Sequence, residues 1–281
     1  MTTTPQVALT VAGSDSGGGA GIQADLVTFA ALGVHGASAI TALTAQNTLG
    51  VADVHVPPVE FLAAQLDAVL DDLPVAAVKT GMLATEEIVR AVAAQAAAGR
   101  LPNLVVDPVL VSSTGARLLD PGAEGAYREV LFPHALAVTP NTREAAALLG
   151  RPVTTVDEAR AAAREIAGWG PRWVVVKGGH QADRAGGPAS AEAVDVVCEA
   201  ATGDLRELRA PRVDTPNDHG TGCTFAAATA AMLARGAAVP VALAAAKRFV
   251  HDGLVASAGW RLGGGHGPVG KLGGWSPPGP G

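Results

Sequence analysis

The chain has 281 residues, 48% of them apolar and 16% charged, and its 20 Lys+Arg against 26 Asp+Glu leave a net charge of −6. That length fits one large domain or two small ones. The low charged share excludes a disordered chain, and the acidic balance excludes a basic footprint for coating nucleic acid or an anionic membrane, so a small molecule is the expected partner.

In chain order, the first six residues lack the basic and apolar regions of a signal peptide. Short apolar runs at 7–13, 37–43, 76–81, 104–110, 136–141 and 173–179 end at Gly, Pro or a polar residue, which predicts strands. The run 26–52 carries no charge, but Gly33, His35, Gly36, Gln46 and Asn47 interrupt it, and it is a poor membrane span. Between the strands, Phe61, Leu62, Leu66, Val69, Leu70 and Leu73 keep one apolar helical stripe, as do Ile88, Val89 and Val92 after a Thr85 cap. Strands alternating with helices predict an α/β fold with a mostly parallel sheet covered on both faces. Residues 193–199 and 205–213 flank a Thr202-Gly203-Asp204 turn and read as an appended antiparallel pair. Further helices hold Phe225, Thr229, Met232 and Leu233, then 240–258. The Gly/Pro-rich tail 262–281 is expected to be loose at its end. With no repeat or linker, one domain over 1–281 is expected. Cys198 and Cys223 have no CxxC partner, which excludes a disulfide framework or structural zinc site and suits the reducing cytoplasm.

Two glycine clusters stand out. Residues 12–21 follow the first strand and open a helix, so their glycines permit positive φ and let a ligand approach backbone amides. Gly19-Ala20-Gly21-Ile22-Gln23-Ala24 fits the dinucleotide pattern GxGxxA, yet positions 39–48 lack the acidic residue that binds the ribose, and no P-loop is present. A nucleotide-binding oxidoreductase is therefore a weak alternative. In the second cluster, Gly220-Thr221-Gly222-Cys223 precedes a helix, where the amides of Thr221, Gly222 and Cys223 predict an anion hole and the helix terminus predicts a depressed Cys223 pKa. His180 and His219 read as loop hydrogen-bonders, since two histidines do not make a metal site.

The blocks 12–25, 41–48, 78–82, 106–109, 139–141, 177–180 and 219–224 together resemble, in order and over nearly the whole chain, the hydroxymethylpyrimidine/phosphomethylpyrimidine kinases of thiamine biosynthesis. The resemblance implies a ribokinase-like three-layer α/β/α sandwich, ATP and Mg²⁺ as co-substrates and a homodimer. It implies phosphorylation of 4-amino-5-hydroxymethyl-2-methylpyrimidine and then of its monophosphate; pyridoxal, another flat ring alcohol, is the alternative substrate. Cys223 resembles the family's base, and Gly220, Thr221 and Gly222 its phosphoryl-binding hole. Lys177, Asn141 and Thr221 resemble nucleotide contacts, and Asp107 and Glu144 the residues that order the metal. Asp25 and Gln46 would hold the pyrimidine, with Gly13, Ala20, Met82 and Val109 lining its pocket. The tail departs from the family: after His266-Gly267-Pro268-Val269 it continues Gly270-Lys271-Leu272 instead of Asn-His-aromatic, and 181–190 is longer than the resemblance leads one to expect, consistent with a flap over the nucleotide.

Overall fold

The computed structural model describes residues 4–110, 120, 122–179 and 191–271. Their strands are β1 (Val7–Asp15), β2 (His35–Asn47), β3 (Gly50–His55), β4 (Val75–Thr80), β5 (Val105–Val106), β6 (Ala137–Val138), β7 (Trp173–Val176), β8 (Glu192–Glu199) and β9 (Leu205–Pro211). They form one sheet in the order β3-β2-β1-β4-β5-β6-β7-β8-β9. The six strands from β2 to β7 in that order pair in parallel, and antiparallel pairs close both edges: β2–β3 on one side, β7–β8–β9 on the other.

Helices α1 (Gly21–Ala31), α2 (Val59–Leu70), α3 (Glu86–Ala97), α4 (Glu124–Ala126), α5 (Thr142–Leu149), α6 (Val156–Ala167), α7 (Thr221–Ala234) and α8 (Val239–Ser257) flank the sheet. On one face Leu62, Leu66, Ile88, Val89, Val92 and Ile166 pack against Leu9, Val11, Val78, Val106, Val138 and Val174. On the other, alternate strand residues Ala8, Ala77 and Val105 meet Phe29 and the alanines of α7. A fully buried parallel sheet reads as continuous apolar runs because both faces are covered; here small alanines let α7 lie close to it. The three-layer α/β/α expectation is met.

The structure revises some limits. The strand expected at 37–43 runs on through Asn47 and turns back as β3, an unexpected strand whose exposed, polar alternation left no apolar run to read. The runs 104–110 and 136–141 shrink to two-residue strands at Val105–Val106 and Ala137–Val138, because the chain leaves the sheet at once to place Asp107 and Asn141 at its edge. No helix of the described residues is long and apolar enough to cross a membrane. His180, the segment 181–190 and the tail beyond Lys271 lie outside the described residues.

The connection after β3 crosses to the far side of β1 to form β4. Such a reversal of strand order opens a crevice at the carboxyl ends of parallel strands, where ligands bind in open α/β sheets.

Candidate active site

A cavity of about 550 Å³ occupies that crevice, within the usual range for small-molecule sites. Gly13, Ala20, Gln46, Met82, Val109, Asp107, Asn141, Glu144, Lys177, Gly220, Thr221, Gly222 and Cys223 all line it, so sequence positions spread over two hundred residues converge. Asp25, the remaining expected site residue, does not.

At the β1–β2 end Gly13, Ala20, Gln46 and Met82 line the cavity. Met82 is fixed through its carbonyl, which accepts from Thr41 Oγ1 (2.6 Å) and Gly13 N (3.1 Å). Its sulfur packs against Gly13, where a Cβ would sit 3.1 Å from it. The Gln46 amide projects beside it, with Nε2 3.3 Å from His219 Nε2.

The first glycine cluster behaves differently from expectation. Its amides do not face a ligand: the Asp15 carboxylate accepts from Gly17 N (2.8 Å), Gly19 N (3.1 Å) and Ala20 N (2.9 Å) and pairs with His219 Nε2 at 2.9 Å. Burial pushes Asp15 toward neutrality, but the His219 bond and the Ala20 and Gly17 amides outweigh it and hold the carboxyl below its ordinary value. The loop is folded around its own Asp15 and still lines the cavity through Gly13, Ser14, Asp15, Ala20 and Gly21. Glycine at 19 is required because a Cβ there would be driven into the His219 ring, and at 220 because it adopts φ 81° and its Cβ would enter Gly19 O. The two glycine clusters are thus packed directly on each other.

The second cluster opens α7 on the cavity wall. Gly220 caps α7, and Thr221 N donates to Asp218 O at 3.2 Å; Gly222 and Cys223, whose amides belong to the first turn, line the cavity. The Lys177 ammonium lies against this turn, since a Cβ on Gly222 would be 3.0 Å from its Nζ. It pairs with Asp107 at 2.8 Å, and Asp107 also accepts from Thr139 Oγ1. Burial disfavours the Lys177 charge, but Asp107 and then Glu144 more than offset it and raise its pKa. Glu144 and Asn141 form a capping box at the start of α5: Asn141 N donates to Glu144 Oε2 (2.7 Å) and Glu144 N to Asn141 Oδ1 (2.9 Å). Burial pushes Glu144 up to about 8, with Lys177 opposing.

Two expectations are corrected. Cys223 sits in the first turn of α7, yet its pKa is raised, not depressed: burial dominates, and the field of Lys79 only partly opposes it. Asp25 is fully buried beneath the cavity floor, accepting from Thr10 Oγ1 at 2.6 Å and Lys79 Nζ at 2.7 Å. It does not line the cavity. Burial raises the Asp25 pKa above its ordinary value, with Lys79 opposing, and Lys79 in turn has its pKa raised by Asp25 against the cost of burial.

Sequence reasoning missed several participants. Asp195 accepts from Gly178 N and pairs with Lys247 at 2.8 Å, beyond which Ala193, Val213, Val250 and Leu254 form an apolar far end of the cavity. The described part of the tail is not loose: Gly267 O accepts from His219 N, Val269 N donates to His219 O, and Lys271 Nζ donates to Gly19 O at 3.0 Å. Among the described residues no group of three or more His, Cys, Asp or Glu could hold a metal.

The sequence profile of the phosphomethylpyrimidine kinases matches residues 15–270. A hydroxymethylpyrimidine/phosphomethylpyrimidine kinase of Streptomyces coelicolor is 49% identical over 95% of this chain and 94% of its own. Among solved structures, a phosphomethylpyrimidine kinase from Clostridium difficile superposes with TM-score 0.74 at 36% identity, over 88% of this chain and 98% of that one. A pyridoxal kinase from Staphylococcus aureus, in complex with AMP-PCP and pyridoxal, gives 0.83 at 33%, over 95% and 93%. The fold is therefore ribokinase-like, and the chain belongs to the phosphomethylpyrimidine kinase family.

Proposed function

We propose that this protein transfers the terminal phosphoryl group of ATP to the hydroxymethyl group of 4-amino-5-hydroxymethyl-2-methylpyrimidine, and then to the resulting monophosphate. One observation carries the reading: a single cavity joins Met82 and the Gln46 amide at one end to an apolar far end, with the first turn of α7 and the buried Lys177 between. The named activity of the Streptomyces coelicolor relative supports it.

Phosphoryl transfer depends on positioning and charge neutralisation. In this reading the ring lies against Met82, Gly13, Ala20 and Val109, and Gln46 bonds its polar edge, since an amide offers both donor and acceptor. Asn141 and Thr221 line the nucleotide's phosphate path, and the Lys177 ammonium neutralises charge on the group in transit. The amides of Gly222 and Cys223, with Gly220 setting their direction, hold that group over the acceptor oxygen. Cys223 takes the acceptor's proton, and because its thiol is pushed up by burial, the thiolate is scarce but strongly basic when formed. Asp107 and Glu144 suit Mg²⁺, which accepts one or two carboxylates and completes its shell with phosphate oxygens and water. When bound, the ion would neutralise phosphate charge. The AMP-PCP complex of the Staphylococcus aureus relative supports ATP as donor.

We also assign to this reading a cytoplasmic homodimer, whose mass light scattering reads. Incubation with ATP, Mg²⁺ and the alcohol should yield both phosphorylated products, and absence of ADP release with either acceptor overturns the assignment. Pyridoxal is the second reading, favoured by the Staphylococcus aureus complex. Comparing kcat/KM for the two alcohols decides between them.

A further inference from the structure

Lys177 is held on its two flanks by different means. On the β6 side the backbone suffices: Lys177 N donates to Pro140 O at 2.8 Å, and Lys177 O accepts from Thr142 N at 3.1 Å. On the β8 side the ladder of β7 stops at Val176 opposite Val196. Gly178 N, two residues on, finds a side chain instead, donating to Asp195 Oδ1 at 2.9 Å. A buried amide needs a partner, so where the strand pairing ends a carboxylate takes the place of a backbone carbonyl.

That carboxylate is itself fixed from a third element. Its other oxygen, Oδ2, pairs with Lys247 Nζ of α8 at 2.8 Å, and both side chains are largely enclosed. A buried ion pair adds little net stability over an apolar pair of the same shape, so its place matters more than its energy. Asp195 and Lys247 line the cavity together with Lys177 and Gly179. The bridge thus ties α8 to the residue directly after Lys177.

We propose that Asp195 is a positioning residue for phosphoryl transfer: anchored by Lys247, it fixes the Gly178 amide and through it the direction from which Lys177 reaches the first turn of α7. This rests on the kinase reading above. The Lys177 ammonium lies so close to Gly222 that an added Cβ there would be 3.0 Å from Nζ, and a small shift of the Lys177 backbone would change what the ammonium meets.

The test uses the two donors that converge on this one side chain. Asparagine at 195 offers one oxygen where aspartate offers two, and the Lys247 ammonium, as the stronger donor, takes it and leaves the Gly178 amide facing an NH₂ group. Asp195→Asn should therefore lower kcat by about 10²-fold, the scale for displacing a reacting group by an ångström, while KM for the acceptor holds. Adding Lys247→Met frees that oxygen for Gly178, and kcat should recover most of the loss; Asp195→Ala with Lys247→Met offers no acceptor and should stay low. Equal kcat in the Asn and Ala double variants would show that the bond to Gly178 does not govern turnover, and the proposal is overturned. Should the Ala double variant not fold, the single Asn variant stands in its place, and a kcat unchanged by adding Lys247→Met overturns the proposal. If the wild type releases no ADP with either acceptor, the kinase reading fails instead. The rate at which acetic anhydride acetylates Lys177, read by peptide mass, still reports where its amine lies: a rate altered by Asp195→Asn and restored by Lys247→Met supports the role of Asp195, and one rate in all variants overturns it.

Discussion

Two lysine–carboxylate pairs sit on the same sheet and differ almost only in where they open. Lys79 and Asp25 lie 2.7 Å apart and are fully buried; Lys177 and Asp107 lie 2.8 Å apart with the lysine 11% exposed toward the cavity. The geometry is alike, and so is the direction in which each lysine's pKa moves. Access to the cavity therefore separates a charge that holds the floor from a charge that can meet a phosphate.

The strongest way to break this comparison is Lys79→Met. It strands the Asp25 carboxylate in the core, which costs about 3–5 kcal/mol for a buried pair that loses one partner. Burial already raises the Asp25 pKa with Lys79 present, and removing the opposing ammonium raises the folded value further above the unfolded one, so folding favours the protonated acid. Stability of the variant should then be greatest below the unfolded carboxylate value and fall as pH rises from there through the raised folded one. Chemical denaturation across pH reads this. Adding Asp25→Leu should restore most of the loss and with it most of kcat; a stable but inactive double variant would show that the sealed pair takes part in chemistry.

Lys177→Met should do the opposite. Asp107 retains Thr139 and a water-accessible cavity, so stability changes less, while kcat falls about 10²–10³-fold, the range for removing one donor to a developing charge. Single-turnover kinetics with saturating ATP measures it, and an unchanged kcat would assign Lys177 to structure alone.

The sequence separates these pairs only in part. Strand ends are legible, because apolar runs stop at Asp107, Asn141 and Lys177, and that places the cavity-lining residues. What a side chain faces across the sheet is not: Asp25 lies in a block shared with cavity residues, and only the fold turns it inward toward Lys79, 54 positions away. Asp15 was equally hidden, since its partners are amides of its own loop and a histidine 204 positions on. The Cys223 shift could not be read from helix position, because burial outweighs the local dipole and needs the surrounding shell to be known. The Asn141–Glu144 capping box follows an Asn-x-x-Glu pattern, a role beyond the nucleotide and metal contacts that the resemblance implies for these two residues.

Cys223→Ser sharpens the comparison at the point where the two lysines' fields meet. The loop should keep its shape, KM should change little, and kcat should drop about 10²-fold, the low end for proton transfer in a reaction governed by positioning. Since burial raises the thiol's pKa, wild-type kcat should still climb as pH increases above neutrality. The serine variant should lose that climb, its hydroxyl titrating far higher. A wild-type profile flat through the alkaline range would remove the thiol from the proton-transfer step.

The smallest expected effect concerns what holds the open pair in place. Asn141 caps α5 with its side-chain oxygen on the amides of Arg143 and Glu144, and its own amide fixes the Glu144 carboxylate near Lys177. Asn141→Ala removes the cap, at about 1 kcal/mol. It leaves the backbone bond from residue 141 to Glu144, so the carboxylate should stay close to Lys177 and kcat should fall only a few-fold. Asn141→Asp, which preserves the acceptor, should restore the stability while adding a negative charge beside a group already raised to about 8 by burial. That charge should weaken nucleotide binding and raise the KM for ATP. Equal KM values for the Ala and Asp variants would mean that charge at this position does not reach the nucleotide, and that the cap alone accounts for Asn141.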